Sequence, residues 1–363
     1  MRRITELDAI RGLAAMAVMI YHLDPSAFAL HGIRVDLFLV MSGFLLTSII
    51  LRKADSGRFL VVFSLRRWFR TWPIYFVAIG SAVFLNRFVP TPFPMDGAYH
   101  YLTFTQNVTR YWSSNTPAFN HYFEHTWSLA IEEQFYLVWP SLVLLLGRRR
   151  LLPAALSLLA MSVTMRALGY HWWLLLARCD GFALGSILAI LFQDQEVLER
   201  RRKEYQWGFT AVSLAAMVFT VATTVDTIAM DFDHGMSLRP SLMVLSWNLL
   251  FFGLIGLVIL NSGHANLRIL RNPVLKFLGK ISYGTYLFHP FVFVVTWGVF
   301  RFLSIDAPMI LEVTKILASL GVASLSWYLV EEPISRLKSF IQYESPANKT
   351  QRVPAPQLGG VRA

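Results

Sequence analysis

Residues 127–147 read WSLAIEEQFYLVWPSLVLLLG. The run is as long as the ~20 apolar residues that a helix needs to cross a bilayer. Its only charged residues are the adjacent Glu132 and Glu133. An ionisable side chain inside a span costs roughly 2.5–3.5 kcal/mol on insertion scales and faces a cavity or a partner. The stretch therefore predicts a membrane-spanning helix and a polar interior for that helix to face.

Comparable apolar runs fall at roughly 7–23, 33–51, 72–89, 151–168, 171–192, 207–225, 241–260, 281–303 and 309–330. The expected class is an all-α, polytopic integral membrane protein with about ten transmembrane helices. Composition agrees. The 363 residues are 55% hydrophobic and 15% charged, with a mean hydropathy of +0.49. Soluble domains carry about 25% charged residues. A disordered chain is excluded by the 28 Phe, 13 Tyr and 11 Trp. Cys179 is the only cysteine, so an intrachain disulfide and a Cys-based zinc site are excluded.

The net charge of +11 would suit nucleic acid or anionic lipid. Its placement argues for topology instead. With the N-terminus in the cytoplasm, every second connection is basic, and these segments with both termini hold 24 of the 33 Lys and Arg residues. Basic loops stay on the cytoplasmic side, so both termini are expected there and no nucleic-acid partner is expected. Residues 1–340 read as one membrane domain and 341–363 as a disordered cytoplasmic tail. Ala27-Phe28-Ala29 imitates a signal-peptidase site, but Asp8 and Arg11 interrupt the entry to the preceding apolar run, so retention of the first span is expected.

The charges inside spans are the candidate functional residues. Eleven residues at 100° bring Arg11 and His22 to one face of the first span, about 16 Å apart, and Asp8 lies one turn before Arg11. Asp36 in span 2, Glu132 and Glu133 in span 4, and Arg178 and Asp180 in span 6 fall at a depth similar to that of His22. Singly, each suits a salt bridge that holds the bundle, and His22 suits an interfacial anchor. Together they suggest a water-filled outer cavity in which a histidine acts as base beside carboxylates. On the other side, residues 64–73 form a loop in which Arg66, Arg67 and Arg70 either clasp phosphate or serve as an ordinary basic loop. His121 and His125 match an HxxEH metal pattern, but Pro117 lies just upstream and a third ligand is missing, so no metal site is expected. His289-Pro290 reads as a kinked position with a satisfied histidine, and Glu331-Glu332-Pro333 as a helix stop.

In order along the chain, these motifs resemble the membrane acyltransferase 3 family, which O-acylates carbohydrates and other hydroxylated molecules at bacterial membranes. The matching blocks are Leu7 to Gly12 followed by His22 (R-x10-H), Val35 to Phe44 and Arg66-Arg67-x-x-Arg70-x-x-Pro73. They continue with Trp127 to Tyr136, Arg178 to Gly181, Ile281 to Pro290 and Val330 to Pro333. Arg34 and Leu39 depart from the usual pattern. No SGNH-type domain follows, so the expectation is a mechanism carried by the membrane domain alone.

The resemblance implies an acyl-CoA donor, acetyl-CoA foremost, reached from the cytoplasm through Arg67 and Arg70, with Arg66 in the same basic block. It implies no permanently bound cofactor. It implies His22 as the essential catalytic residue with Arg11 supporting it. Asp36 or Glu132 is expected to orient the imidazole, and Arg178 to steady developing negative charge. The expected location is the inner cell membrane, among membrane lipid, with a carbohydrate, glycolipid or other hydroxylated acceptor. The rivals are a transporter or flippase that moves a polar headgroup without chemistry, a membrane metallopeptidase and a non-catalytic anchor.

Overall fold

The computed structural model describes residues 4–23, 33–56, 58–87, 97–112, 123–227 and 238–343, and these are helical with no strand. The helices are α1 (Thr5–Leu23), α2 (Ile33–Lys53), α3 (Phe59–Leu85), α4 (Ala98–Leu102), α5 (Gln106–Trp112), α6 (Trp127–Leu146), α7 (Leu151–Ala167) and α8 (Leu175–Arg178). They continue as α9 (Asp180–Leu191), α10 (Gln195–Arg200), α11 (Arg202–Thr227), α12 (Leu238–Leu260), α13 (Pro273–Phe302) and α14 (Pro308–Ser326). A π-helical turn over Trp327–Glu331 joins α14 to α15 (Glu332–Leu337).

Each of the ten apolar runs coincides with helix, but six helices among the described residues are long and apolar enough to cross a membrane: Val35–Lys53, Phe59–Leu85, Glu124–Leu146, Arg202–Thr223, Leu238–Leu260 and Pro308–Phe340. The other four runs fall short for physical reasons. α1 carries Glu6, Asp8 and Arg11, and α13 carries Ser282, Thr285 and His289. α7 has 17 residues. α9 has 12, about 18 Å of helix against ~30 Å of hydrocarbon. Every residue of α9 from Asp180 to Ser186 is buried, so its neighbours rather than lipid enclose it.

Two expectations change here. The segment 64–73 is not a loop, because α3 runs unbroken through it and past Pro73. Proline deletes one backbone N–H and need not end a helix that its neighbours hold. The run 171–192 is divided at Cys179 into α8 and α9, which sets Arg178 and Asp180 on either side of a break. Of the expected tail, Ile341–Tyr343 is described: Tyr343 stacks on Phe59 and its carbonyl accepts from Ser56 Oγ. Residues 344–363 lie outside the described residues.

Glycines set the closest helix contacts. A Cβ on Gly43 would meet Phe182 O at 2.1 Å, and one on Gly185 would meet Val40 O at 2.0 Å, so α2 and α9 touch backbone to backbone. α1 and α13 do the same: a Cβ on Gly279 would lie 2.2 Å from Asp8 O, and one on Gly12 would lie 2.6 Å from Gly279 N. Small residues allow such approach where lipid offers no hydrophobic drive between helices. Around these seams the core is aromatic, with Phe135 stacked on Phe182 at 4.1 Å and Trp139 fully buried.

A methyl group at position 185 has no room, whereas nothing lies within 4 Å of one at the exposed Gly80. Gly185→Ala should lower stability by about 1–3 kcal/mol, as overpacking does. Gly80→Ala should be neutral or stabilising by about 0.5–1 kcal/mol, because glycine weakens a helix interior. Unfolding of the two variants in detergent checks the contrast.

Candidate functional site

The seam between α1 and α13 carries polar pairs along its length. The contacts rise together in both helices, so the two run parallel. Arg11 Nη2 donates to Gly279 O at 2.7 Å and Arg11 Nε to Ser282 Oγ at 2.9 Å, with Asp8 Oδ1 at 3.5 Å. Eleven residues on, His22 Nδ1 lies 2.9 Å from Val18 O and 3.1 Å from His289 Nε2. The stripe expected from helical periodicity is thus present, and α13 supplies its other side.

His22 and His289 have a third histidine beside them. The ring of His125 is 5.2 Å from that of His289 and 6.4 Å from that of His22. His125 belongs to the turn Glu124–Thr126 that leads into α6. Tyr286 of α13 anchors this turn, donating from its hydroxyl to His125 O at 2.5 Å while bonded to Ser128 Oγ at 2.6 Å. His121, the other half of the HxxEH pattern, lies outside the described residues.

The acidic pair of α6 turns to α3. Glu132 Oε1 accepts from Arg67 Nη2 at 2.8 Å, from Ser42 Oγ at 2.6 Å and from the Tyr136 hydroxyl. Glu133 accepts from Thr71 Oγ1 at 3.0 Å and Trp72 Nε1 at 3.1 Å. Arg67 also lies 3.7 Å over the Tyr136 ring. The three arginines of α3 therefore divide. Arg67 is held by α6. Arg66 is drawn to the segment around and after α15, 5.4 Å over the Tyr343 ring and 3.4 Å from Lys338 O. Arg70 is exposed and has no hydrogen bond or ion pair among the described residues.

Asp36 and Arg178 take each other. Both are 0% exposed, with Nη2 2.8 Å from Oδ2, and the Arg178 guanidinium sits 5.1 Å from the Trp172 ring. A second pair lies alongside: Arg166 Nη2 is 2.7 Å from Asp180 Oδ2, again with both side chains 0% exposed. Ser162 Oγ donates to Asp180, and Arg166 Nη1 donates to Ala177 O. Arg166 escaped the sequence reading, although a lone arginine near the end of the apolar run 151–168 was the available signal. Tyr136 escaped it too, and His289 entered it as a satisfied histidine at a kink, because a histidine or tyrosine in a span is most often a satisfied core residue.

The comparisons with known proteins bear on this arrangement. Residues 4–330 match the profile of a family described as an acyltransferase domain. The chain belongs to that family. Its curated relatives include the peptidoglycan O-acetyltransferase OatA of Listeria monocytogenes, 26% identical over 94% of this chain and 57% of the relative. The O-acetyltransferase OatA of Staphylococcus aureus is 26% identical over 96% of this chain and 60% of the relative. The chain thus spans a little under two thirds of the length of these relatives. No solved structure matches it. For this acyltransferase-family chain, the matched region includes every residue of the α1–α13 seam.

The two buried pairs make different demands from exposed ones. Removing one partner strands a charge and costs about 3–5 kcal/mol, whereas replacing both by apolar residues is often neutral. Arg166→Met should therefore destabilise strongly, and Arg166→Met with Asp180→Leu should recover most of the loss. A double-mutant cycle on detergent unfolding reads the coupling.

Proposed function

We propose that this chain is an inner-membrane O-acyltransferase, moving an acyl group, acetyl foremost, from acyl-CoA on the cytoplasmic side to a hydroxyl of a surface carbohydrate. The observation that carries the reading is the α1–α13 seam. It joins the Arg11 guanidinium, held by Gly279 O and Ser282, to a histidine cluster about three helical turns away. A donor with phosphates at one end and a thioester at the end of a long arm fits that separation in kind. The relative named for peptidoglycan makes a glycan hydroxyl the first acceptor to test.

His22 is the reacting group. As general base it takes the hydroxyl proton at Nε2 while the oxygen attacks the thioester carbonyl. The C–S bond then breaks, the thiolate leaves, and the proton returns to it from the imidazolium. As a nucleophile, His22 would carry the acyl group before passing it to the hydroxyl; the residues present suit both routes. Arg70 meets the donor phosphates, since a guanidinium without a partner seeks an anion. Arg67, already engaged by Glu132, Glu133 and Tyr136, fixes α3 against α6 and so places Arg70. The complete burial of Asp36 and Arg178 supports a scaffold role for both, with the substrate beyond their reach.

His22→Ala should abolish transfer of labelled acetyl from acetyl-CoA in membranes, by at least the ~10²-fold that general-base catalysis contributes; undiminished transfer would sink the assignment. Arg70→Ala should raise the donor KM by roughly tenfold, about 1.4 kcal/mol of binding, with kcat little changed. Steady-state kinetics over a range of acetyl-CoA separates the two parameters.

A further inference from the structure

We propose that His289 is the positioning residue of His22, a neutral imidazole in the place that a carboxylate takes in an acid–base triad. The inference rests on His22 being the reacting group, and it follows from counting donors and acceptors.

His289 Nδ1 lies 3.0 Å from Thr285 O and 2.8 Å from Tyr286 O. Carbonyl oxygens only accept, so Nδ1 of His289 carries a hydrogen. Proline makes this contact available. In a helix Tyr286 O would bond the N–H of residue 290, and Pro290 has none. The imidazole of His289 is fully buried, which favours the neutral ring. A neutral ring with a hydrogen on Nδ1 has a lone pair on Nε2.

That lone pair faces His22 Nδ1 at 3.1 Å. His22 Nδ1 is also 2.9 Å from Val18 O. Two acceptors converge on one nitrogen, so His22 Nδ1 bears a hydrogen, and in the neutral ring, the form that acts as base, Nε2 bears the lone pair. Val18 lies on α1 itself and moves with His22. His289 lies on α13, so it holds the ring in place relative to the other wall of the seam. When Nε2 takes a proton or an acyl group, His22 becomes a cation, and its Nδ1–H bond to His289 strengthens as a charge-assisted one. The tether is thus strongest when the ring is charged, which is when an orienting partner helps the reaction.

The test uses the full-length protein in nanodiscs. Histidine 15N spectra, assigned with His22→Ala and His289→Gln, should show His22 protonated at Nδ1 and unprotonated at Nε2, and His289 the same. Either residue in the opposite tautomer overturns the proposal. Kinetics with labelled acetyl-CoA and a chitooligosaccharide acceptor give the second reading. His289→Phe should lower kcat by on the order of 10²-fold with the donor KM unchanged. His289→Gln, whose amide can still accept at the same reach, should restore about tenfold of that loss. Size-exclusion elution of both variants separates misfolding from lost positioning. Wild-type kcat in His289→Phe, with His22→Ala inactive, overturns the positioning role alone. Full activity in His22→Ala overturns the reading of the site itself.

Discussion

Hydrocarbon offers no water to solvate a charge, so each ionised side chain inside the bundle must find its partner on another helix or on its own backbone. Arg178 and Asp36 bind α8 to α2, and Arg166 and Asp180 bind α7 to α9. Arg67 and Glu132 bind α3 to α6. Arg11 ties α1 to the backbone of α13. These contacts require backbones close together, and the glycines at 12, 43, 185 and 279 permit that approach.

Against that background Arg70 is conspicuous. It lies on the same helix as Arg67, one turn further on, and makes no ion pair among the described residues. An exposed guanidinium beside other arginines attracts anions.

Much of this was legible in the primary structure. Helix occupies most of each apolar run among the described residues, and the spacing of Arg11 and His22 placed them on one face of α1. Two of the carboxylates expected at the depth of His22 take arginines. Glu132 turned to Arg67, 65 residues away in the chain, and Asp36 to Arg178, 142 residues away. The described partners of the histidine are a backbone carbonyl and a second histidine. Depth along a helix says which residues share a layer, but pairing within a layer depends on which faces are turned toward each other.

The sequence by itself determined the helical class, the apolar spans, the charged stripe on α1 and the motif order that marks the family. These rest on period and composition, which are local. Tertiary structure decided that residues 64–73 are helix, that Arg166 completes a buried pair, that Arg66 and Arg70 part company, and that His289 meets His22. The reason is distance: an ion pair or a histidine tautomer is set by atoms within about 3 Å, and those atoms come from helices whose mutual rotation no single stretch of sequence records.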